Sequence, residues 1–330
     1  MKPLSRASAP AKIILFGEHF VVYDRPAVVM AIERRAYVTA KPRADNRIIV
    51  VKSREMGASG AFTPSGEYQP IEGGLEFEPK FKPIYIITKR ILSLSGEETL
   101  GLEIEVDSSI PIAAGLGSSA AVAVASASAI SSLLEMRLSR DEIFRLAFEA
   151  ERFVHVNPSG VDPAVSTYGG ILLYRRGEGI RRLDVEAEIP IIVGDTGVKR
   201  VTGEMVSRVS DLLMRYPTVV ERIMDAGENI AKLGVEALKS GDMRTLGELM
   251  NMNHALLCAL GVSNDMIERL ISAARRAGAL GAKLTGAGGG GCIIALPEKS
   301  NVQGITEAIR NAGGEVFVTA KAFEGVRIEE

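Results

Sequence analysis

The stretch Pro111-Ile112-Ala113-Ala114-Gly115-Leu116-Gly117-Ser118-Ser119-Ala120-Ala121 carries the clearest chemistry in this sequence. Gly115 and Gly117 let the backbone turn sharply and approach a ligand with no Cβ in the way. Ser118 and Ser119 add hydroxyls, either of them placed to cap the helix that the alanine-rich run Ala120 to Ile130 predicts. A glycine turn that feeds a helix N-terminus offers free N–H groups and the positive end of a dipole to an anion. Phosphate is the guest that suits such a loop. A bare Gly-x-Gly would read as an ordinary turn before a buried helix. Pro111, the Ser-Ser pair and further stretches elsewhere in the chain argue for the ligand.

Those stretches hold polar groups at the ends of regular elements. Ile13 to Phe16 reads as a strand that Gly17 ends, and Glu18 and His19 follow at the turn, where side chains commonly face a site. Glu151 lies beside the apolar stripe of a helix. Asp162 sits in the turn Asn157-Pro158-Ser159-Gly160-Val161-Asp162-Pro163, ahead of a strand-like run through Tyr168 to Leu173. Gly281 to Cys292 includes Lys283-Leu284-Thr285-Gly286-Ala287-Gly288-Gly289-Gly290-Gly291, where the glycines let two backbones or a ligand come close. Each carboxylate alone would read as a solvated helix or turn group.

The elements needed to position these residues are legible by period. Val28 to Ala40 and Arg47 to Lys52 read as strands, and Gly101 to Val106 alternates as a half-buried strand leading into the glycine loop. Lys52 to Gly74 reads as a loop or loose hairpin with the makings of a flap, and a short helix follows over Pro83 to Leu94. Ser139 to Glu142 forms a capping box that opens the helix carrying Glu151. Beyond Gly170 the pattern gives strands Ile191 to Val193, Ile293 to Leu296 and Glu315 to Ala320. Helices are predicted over Glu204 to Arg215, Val219 to Ser240, Met243 to Ala259, Asn264 to Ala277 and Asn301 to Asn311. This order predicts an α+β fold rather than a doubly wound sheet. The 330 residues suit two domains, residues 1–170 and residues 171–330.

Composition narrows the function. Hydrophobic residues make 46% and charged residues 24%, the profile of a soluble globular protein. A formal net charge of -2 gives no reason to expect nucleic acid or an anionic membrane as partner. Cys258 and Cys292 form neither a disulfide framework nor a zinc spacing, and they suit a reducing compartment. No apolar run follows the first basic residues, so the expectation is a cytoplasmic protein.

Three motifs together resemble the GHMP kinases. Pro-x-x-x-Gly-Leu-Gly-Ser-Ser-Ala at Pro111 to Ala120 is similar to that superfamily's phosphate loop. Ala9-Pro10-Ala11-Lys12 with Gly17-Glu18-His19 is similar to its N-terminal motif, and Lys283 to Gly291 to its C-terminal glycine motif. The likeness spans nearly the whole chain. Within the superfamily it is nearest the archaeal type of mevalonate kinase, through Lys12 to His19 and through Glu151-Arg152 followed by His155 to Asp162. Phe16 stands where some members have His, and Val156 where Gly is common; neither change removes a group needed for chemistry.

The resemblance implies an N-terminal domain like domain 2 of ribosomal protein S5, a ferredoxin-like C-terminal domain and a site between them. It implies that Pro111, Ala113, Ala114, Gly115, Leu116, Gly117, Ser118, Ser119, Ala120 and Ala121 surround ATP. It implies Mg²⁺ held by Ser119 and Glu151, and Asp162 as base or orienter of the acceptor hydroxyl with Lys12 beside it. Glu18, His19 and Thr196 would touch mevalonate, and Gly286, Gly288 and Gly289 would line the cleft. Alternatives stay open: phosphomevalonate or homoserine kinase, with Arg25, Lys199 and Arg200 as cations for a phosphorylated acceptor, or a non-catalytic sensor. The sequence also leaves a homodimer open.

Overall fold

The computed structural model describes residues 1–330 except Asn46, Ile112, Ala113, residues 155–158, Arg200 and Glu330. Two antiparallel-rich sheets and their helices give an α+β fold, as expected from the element order. The first sheet is built from β1 (Ser5–Phe16), β2 (Ala27–Arg43), β3 (Ile49–Ser53), β4 (Ala58–Phe62), β5 (Tyr68–Glu72), β6 (Gly101–Ser108), β7 (Ile171–Arg175) and β8 (Gly179–Leu183). Four helices pack with it: α1 (Glu78–Ser95), α2 (Ser118–Leu133), α3 (Arg140–Val154) and α4 (Val161–Tyr168). The second sheet has the order β10-β11-β9-β12, with β9 (Pro190–Asp195), β10 (Gly281–Leu284), β11 (Cys292–Leu296) and β12 (Glu315–Ala320). Helices α5 (Thr202–Arg215), α6 (Pro217–Ser240), α7 (Met243–Ala259), α8 (Asp265–Arg276) and α9 (Val302–Asn311) belong to this half. The chain then returns, and β13 (Arg327–Glu329) pairs with the outer side of β1.

Helix α2 is the centre of the first half. Its alanines and serines are buried on nearly every side, and small side chains let a helix lie close against both sheet and neighbouring helices. The capping box predicted at the start of α3 is present. The Ser139 backbone N–H donates to Glu142 at 2.7 Å, and the Glu142 N–H donates to Ser139 Oγ at 3.3 Å.

Two expectations are corrected, and the loop-or-hairpin alternative over Lys52 to Gly74 resolves to the hairpin. Neither Ser118 nor Ser119 caps α2; the cap position is Gly117, at φ 76°, and the serines form the first turn. The segment Lys52 to Gly74 contains β4 and β5, a meander pinned by aromatic contacts. Phe62 stacks on Tyr85 with centroids 4.6 Å apart and meets Tyr68 at 5.1 Å. Helix α1 begins before Pro83, with Pro79 in its first turn, where a missing N–H costs no helix bond. Among the described residues no helix is long and apolar enough to cross a membrane.

Candidate active site

Lys12 projects from β1 immediately after an irregularity in the ladder: the pairing with β2 shifts register between Pro10 and Ala11. A bulge frees backbone groups and re-aims side chains. Here the Pro10 carbonyl accepts the Ser166 hydroxyl of α4 at 2.9 Å. That bond docks α4 on β1. It brings Asp162, in the first turn of α4, to Lys12, with Oδ1 3.3 Å from Nζ. An acidic residue is favoured at that end of a helix. Lys12 is buried, whereas Asp162 keeps about a third of its side chain exposed at 36%. The pair is therefore a fixed ammonium beside a carboxylate that solvent or a ligand can reach.

The glycine loop lies directly on Lys12. The Leu116 carbonyl accepts the Lys12 backbone N–H at 2.8 Å. A Cβ on Gly117 would come within 2.9 Å of Lys12 Cγ. Ala114, Leu116, Ala120 and Ala121 bury their side chains, so only their backbone can serve a ligand. The first helical bond closes from Ala121 N–H to the Gly117 carbonyl at 3.0 Å. The N–H groups just before it have no partner within the helix and face outward with the positive dipole end. Pro111 is half-buried at the loop's entry, and Ala113 lies outside the described residues.

Replacing Gly117 by Val is therefore expected to raise the Kd for ATP at least about tenfold, roughly 1.4 kcal/mol. Its Cβ meets Lys12 and its β-branched backbone is forced to φ 76°. Equilibrium nucleotide binding on protein of unchanged circular dichroism measures this, and normal affinity would overturn the role given to Gly117.

Glu151, on α3, completes the cluster. Its Oε2 is buried, with no hydrogen-bond partner among the described residues. Burial, and next the Asp162 charge, push its pKa up to about 7, against a smaller opposing pull from Lys12. A buried carboxylate oxygen left unpaired is costly unless something cationic engages it. Ser119 is exposed in the first turn of α2. A hard divalent ion takes oxygen donors of this kind, so the residues present fit Mg²⁺.

An apolar pocket of about 330 Å³ opens beside Ser118 and Ser119. Met56, Pro79, Phe81, Ile84 and Val122 line it, with Glu55 and Lys80 among its polar groups. No local sequence signal marks these residues as a site, because the pocket joins the segment Lys52 to Gly74, α1 and α2, which are distant in the chain.

The far wall comes from the second half. His19 is buried, and its Nε2–H donates to the Ala287 carbonyl at 2.7 Å, which leaves Nδ1 as an acceptor. Burial above all lowers its pKa, so the ring is neutral at neutral pH. Thr285 bonds both ways to β1, accepting from Ile14 N–H at 2.9 Å and donating to the Ile14 carbonyl at 3.1 Å. The glycine motif allows close backbone contact, as its composition predicts. Gly289 N–H reaches the Val262 carbonyl at 2.8 Å, and a Cβ on Gly288 would lie 2.1 Å from that oxygen. Gly286, Gly288 and Gly289 all hold positive φ.

Glu18 and Thr196, the residues expected to touch an acceptor, are bonded into this wall. Glu18 has no exposed side-chain surface; Lys283 and Asn253 occupy its two oxygens. The Thr196 hydroxyl donates to the Gly291 carbonyl at 2.7 Å and accepts from Val198 N–H at 3.2 Å. Arg25 is likewise unavailable to a phosphorylated acceptor, because it pairs with Glu221, Asp225 and Glu228 on α6. Lys199 is exposed. Arg200 and the motif residues His155, Asn157 and Pro158 lie outside the described residues.

The GHMP kinase N-terminal domain model matches residues 84–170, and the GHMP kinase C-terminal model matches residues 235–315. A mevalonate kinase of Pyrococcus horikoshii is 42% identical, over 98% of this chain and 97% of that protein. The chain belongs to the mevalonate kinase family of GHMP kinases. Its fold agrees with solved members of that family. The L. major mevalonate kinase, crystallised with R-mevalonate, superposes with TM-score 0.82 at 27% identity, over 95% of this chain and 94% of that one. The Methanococcus jannaschii mevalonate kinase superposes with TM-score 0.81 at 27% identity, over 96% and 98%. The chain is thus an ATP-dependent small-molecule kinase, with the two-domain α+β fold of its family.

Proposed function

We propose that this protein transfers the γ-phosphoryl group of ATP to the 5-hydroxyl of (R)-mevalonate. The observation that carries the reading is the Lys12–Asp162 pair, 3.3 Å apart, set directly under the glycine loop. An alcohol proton does not leave unaided at neutral pH. Asp162 accepts it as the new oxygen–phosphorus bond forms, and the Lys12 ammonium offsets charge on the transferring group. The backbone N–H groups at the start of α2 hold the phosphates. The pocket lined by Met56, Phe81 and Val122 takes the adenine face. Mg²⁺ would be held by Ser119 and Glu151 and would neutralise phosphate charge. His19, with Nδ1 free to accept, orients the acceptor, while Glu18 and Thr196 act through the wall they build.

The protein is expected to turn over mevalonate at least about 10²-fold better in kcat/KM than phosphomevalonate, homoserine, galactose or shikimate. Arg25 is spent on three carboxylates, which argues against a phosphorylated acceptor. A coupled assay of ADP release across these acceptors is the test. Turnover of homoserine or phosphomevalonate with mevalonate ignored would overturn the assignment, and turnover of none would favour a sensor.

A further inference from the structure

The mechanism leaves one cluster of ligand-type side chains unused. His254 and Cys258 are four residues apart on α7 and so share a face. Glu268, in the first turn of α8, meets both. His254 Nε2 stands 3.0 Å from Glu268 Oε1 and 3.4 Å from Cys258 Sγ, and Cys258 Sγ stands 3.1 Å from the same Glu268 oxygen. Among the described residues these three are the group of His, Cys, Asp or Glu atoms close enough to share an ion.

We propose that His254, Cys258 and Glu268 form a zinc site with three protein ligands and a fourth position open to water. Donors on a tetrahedral zinc ion stand about 3.3–3.7 Å apart. The three observed separations need to open by only a few tenths of an ångström to take the ion between them. An imidazole, a thiol and a carboxylate are the donors that select zinc over magnesium or calcium. The burial is graded in the right sense: His254 is 2% exposed, while the Glu268 side chain is 50% exposed. One side of the cluster therefore opens to solvent, where a water can complete the set.

The protons balance simply. Burial chiefly holds the His254 pKa down to about 4, so the ring is neutral and loses no proton to the solvent on binding. Its remaining proton moves to Nδ1, and Nε2 takes the metal. Glu268 is ionised: burial pushes its pKa up, but the hydroxyl, thiol and imidazole around it together bring it below the usual value. Burial and the Glu268 charge raise Cys258 to about 11, so the thiol enters protonated and gives its proton to solvent as the zinc–sulfur bond forms. No oxidant or reductant is involved.

The position gives the ion a task. The turn between α7 and α8 contains Val262, whose carbonyl receives Gly289 N–H. Asn253, next to His254, reaches Glu18. Zinc would cross-link α7 to α8 around the turn on which the glycine motif rests.

The test uses the full-length protein, stripped of metal and held free of ATP and magnesium. Cobalt(II), as a spectroscopic stand-in, is expected to bind stoichiometrically with a thiolate-to-cobalt charge-transfer band. Zinc should displace it and raise the Tm by a few degrees through preferential binding to the folded state. Cys258→Ser is expected to abolish the band and to weaken zinc binding at least about 100-fold, since a thiolate ligand is removed outright. His254→Ala should weaken zinc binding as well, and Cys292→Ser should leave both unchanged. Absence of stoichiometric binding by the parent protein would overturn the proposal. So would a band that survives Cys258→Ser or disappears only with Cys292→Ser.

Discussion

Replacing Asp162 by Asn is expected to lower kcat about 10²–10⁴-fold with ATP and mevalonate both saturating, the loss typical of a removed general base. That corresponds to about 3–5 kcal/mol of barrier. Asparagine keeps the size of the side chain, and its carbonyl oxygen can still face Lys12 Nζ, 3.3 Å from Asp162 Oδ1 in the parent. It cannot take a proton from an alcohol. The loss should therefore fall on kcat and leave KM for both substrates within about a few-fold, the pattern of an interaction made in the transition state. The fold should persist, because Asp162 is partly exposed and α4 is held to β1 by the bond from Ser166 to Pro10. Steady-state kinetics with a melting curve on the same preparation check both halves. More than about a tenth of parental kcat, against the loss expected for a general base, would remove Asp162 from the chemistry.

How much of this site could be read from the sequence depends on how local each signal is. The glycine turn before α2, the strand Ile13 to Phe16 and the capping box of α3 are specified by residues next to one another. The capping box is placed as predicted, the strand is longer and takes in Lys12, and the turn feeds α2 with Gly117 rather than a serine at the cap. Asp162 reads as a turn residue ahead of a strand-like run through Tyr168 to Leu173; the strand is present as β7, but residues 161–168 form α4. The helix is decided by tertiary bonds: Ser166 reaches the Pro10 carbonyl freed by the β1 bulge, 156 residues away. No period within eight residues announces that. The choice between loop and hairpin over Lys52 to Gly74 is settled in the same way, since the Phe62, Tyr68 and Tyr85 contacts that fix β4 and β5 join separate segments.

Partners of buried charges were the least legible feature. Glu18 at a strand end looks like a site residue, and nothing nearby in the sequence says that Lys283 will consume it. A fully buried carboxylate needs such a cation. Pairing Glu18 with Lys283 and Asn253 bolts the two halves together. Arg25 follows the same logic with three acids of α6. The sequence exposes the inventory of charges, and the fold decides which of them remain available to a substrate.

Glu151→Gln is expected to separate stability from function. In the apoprotein the Glu151 pKa is raised from 4.5 to about 7, first by burial and then by Asp162. A raised carboxyl pKa means that the folded state prefers the protonated form. The stabilisation is thus complete below the unfolded value near 4.5 and is lost as the pH rises through about 7. Glutamine carries no charge at any pH. The variant and the parent should melt together near pH 4.5, and the variant should become the more stable of the two by about 2–3 kcal/mol at pH 8. Activity should move the other way. Mg²⁺ must compete with the proton on Glu151, so the parent's half-saturating Mg²⁺ should fall steeply as pH rises from about 6 to 7 and level off above. In Glu151→Gln that pH dependence should vanish, with a higher Mg²⁺ requirement and a lower kcat throughout. The two titrations, melting temperature without Mg²⁺ and rate against Mg²⁺, are each run across the same pH series. A parent whose Mg²⁺ requirement is flat with pH, or a variant with an unchanged requirement, would take Glu151 out of the metal site. If Glu151→Gln is no more stable than the parent at pH 8, the carboxylate is not strained in the empty site. The orphaned Oε2 would then have lost its explanation as a place kept for a cation.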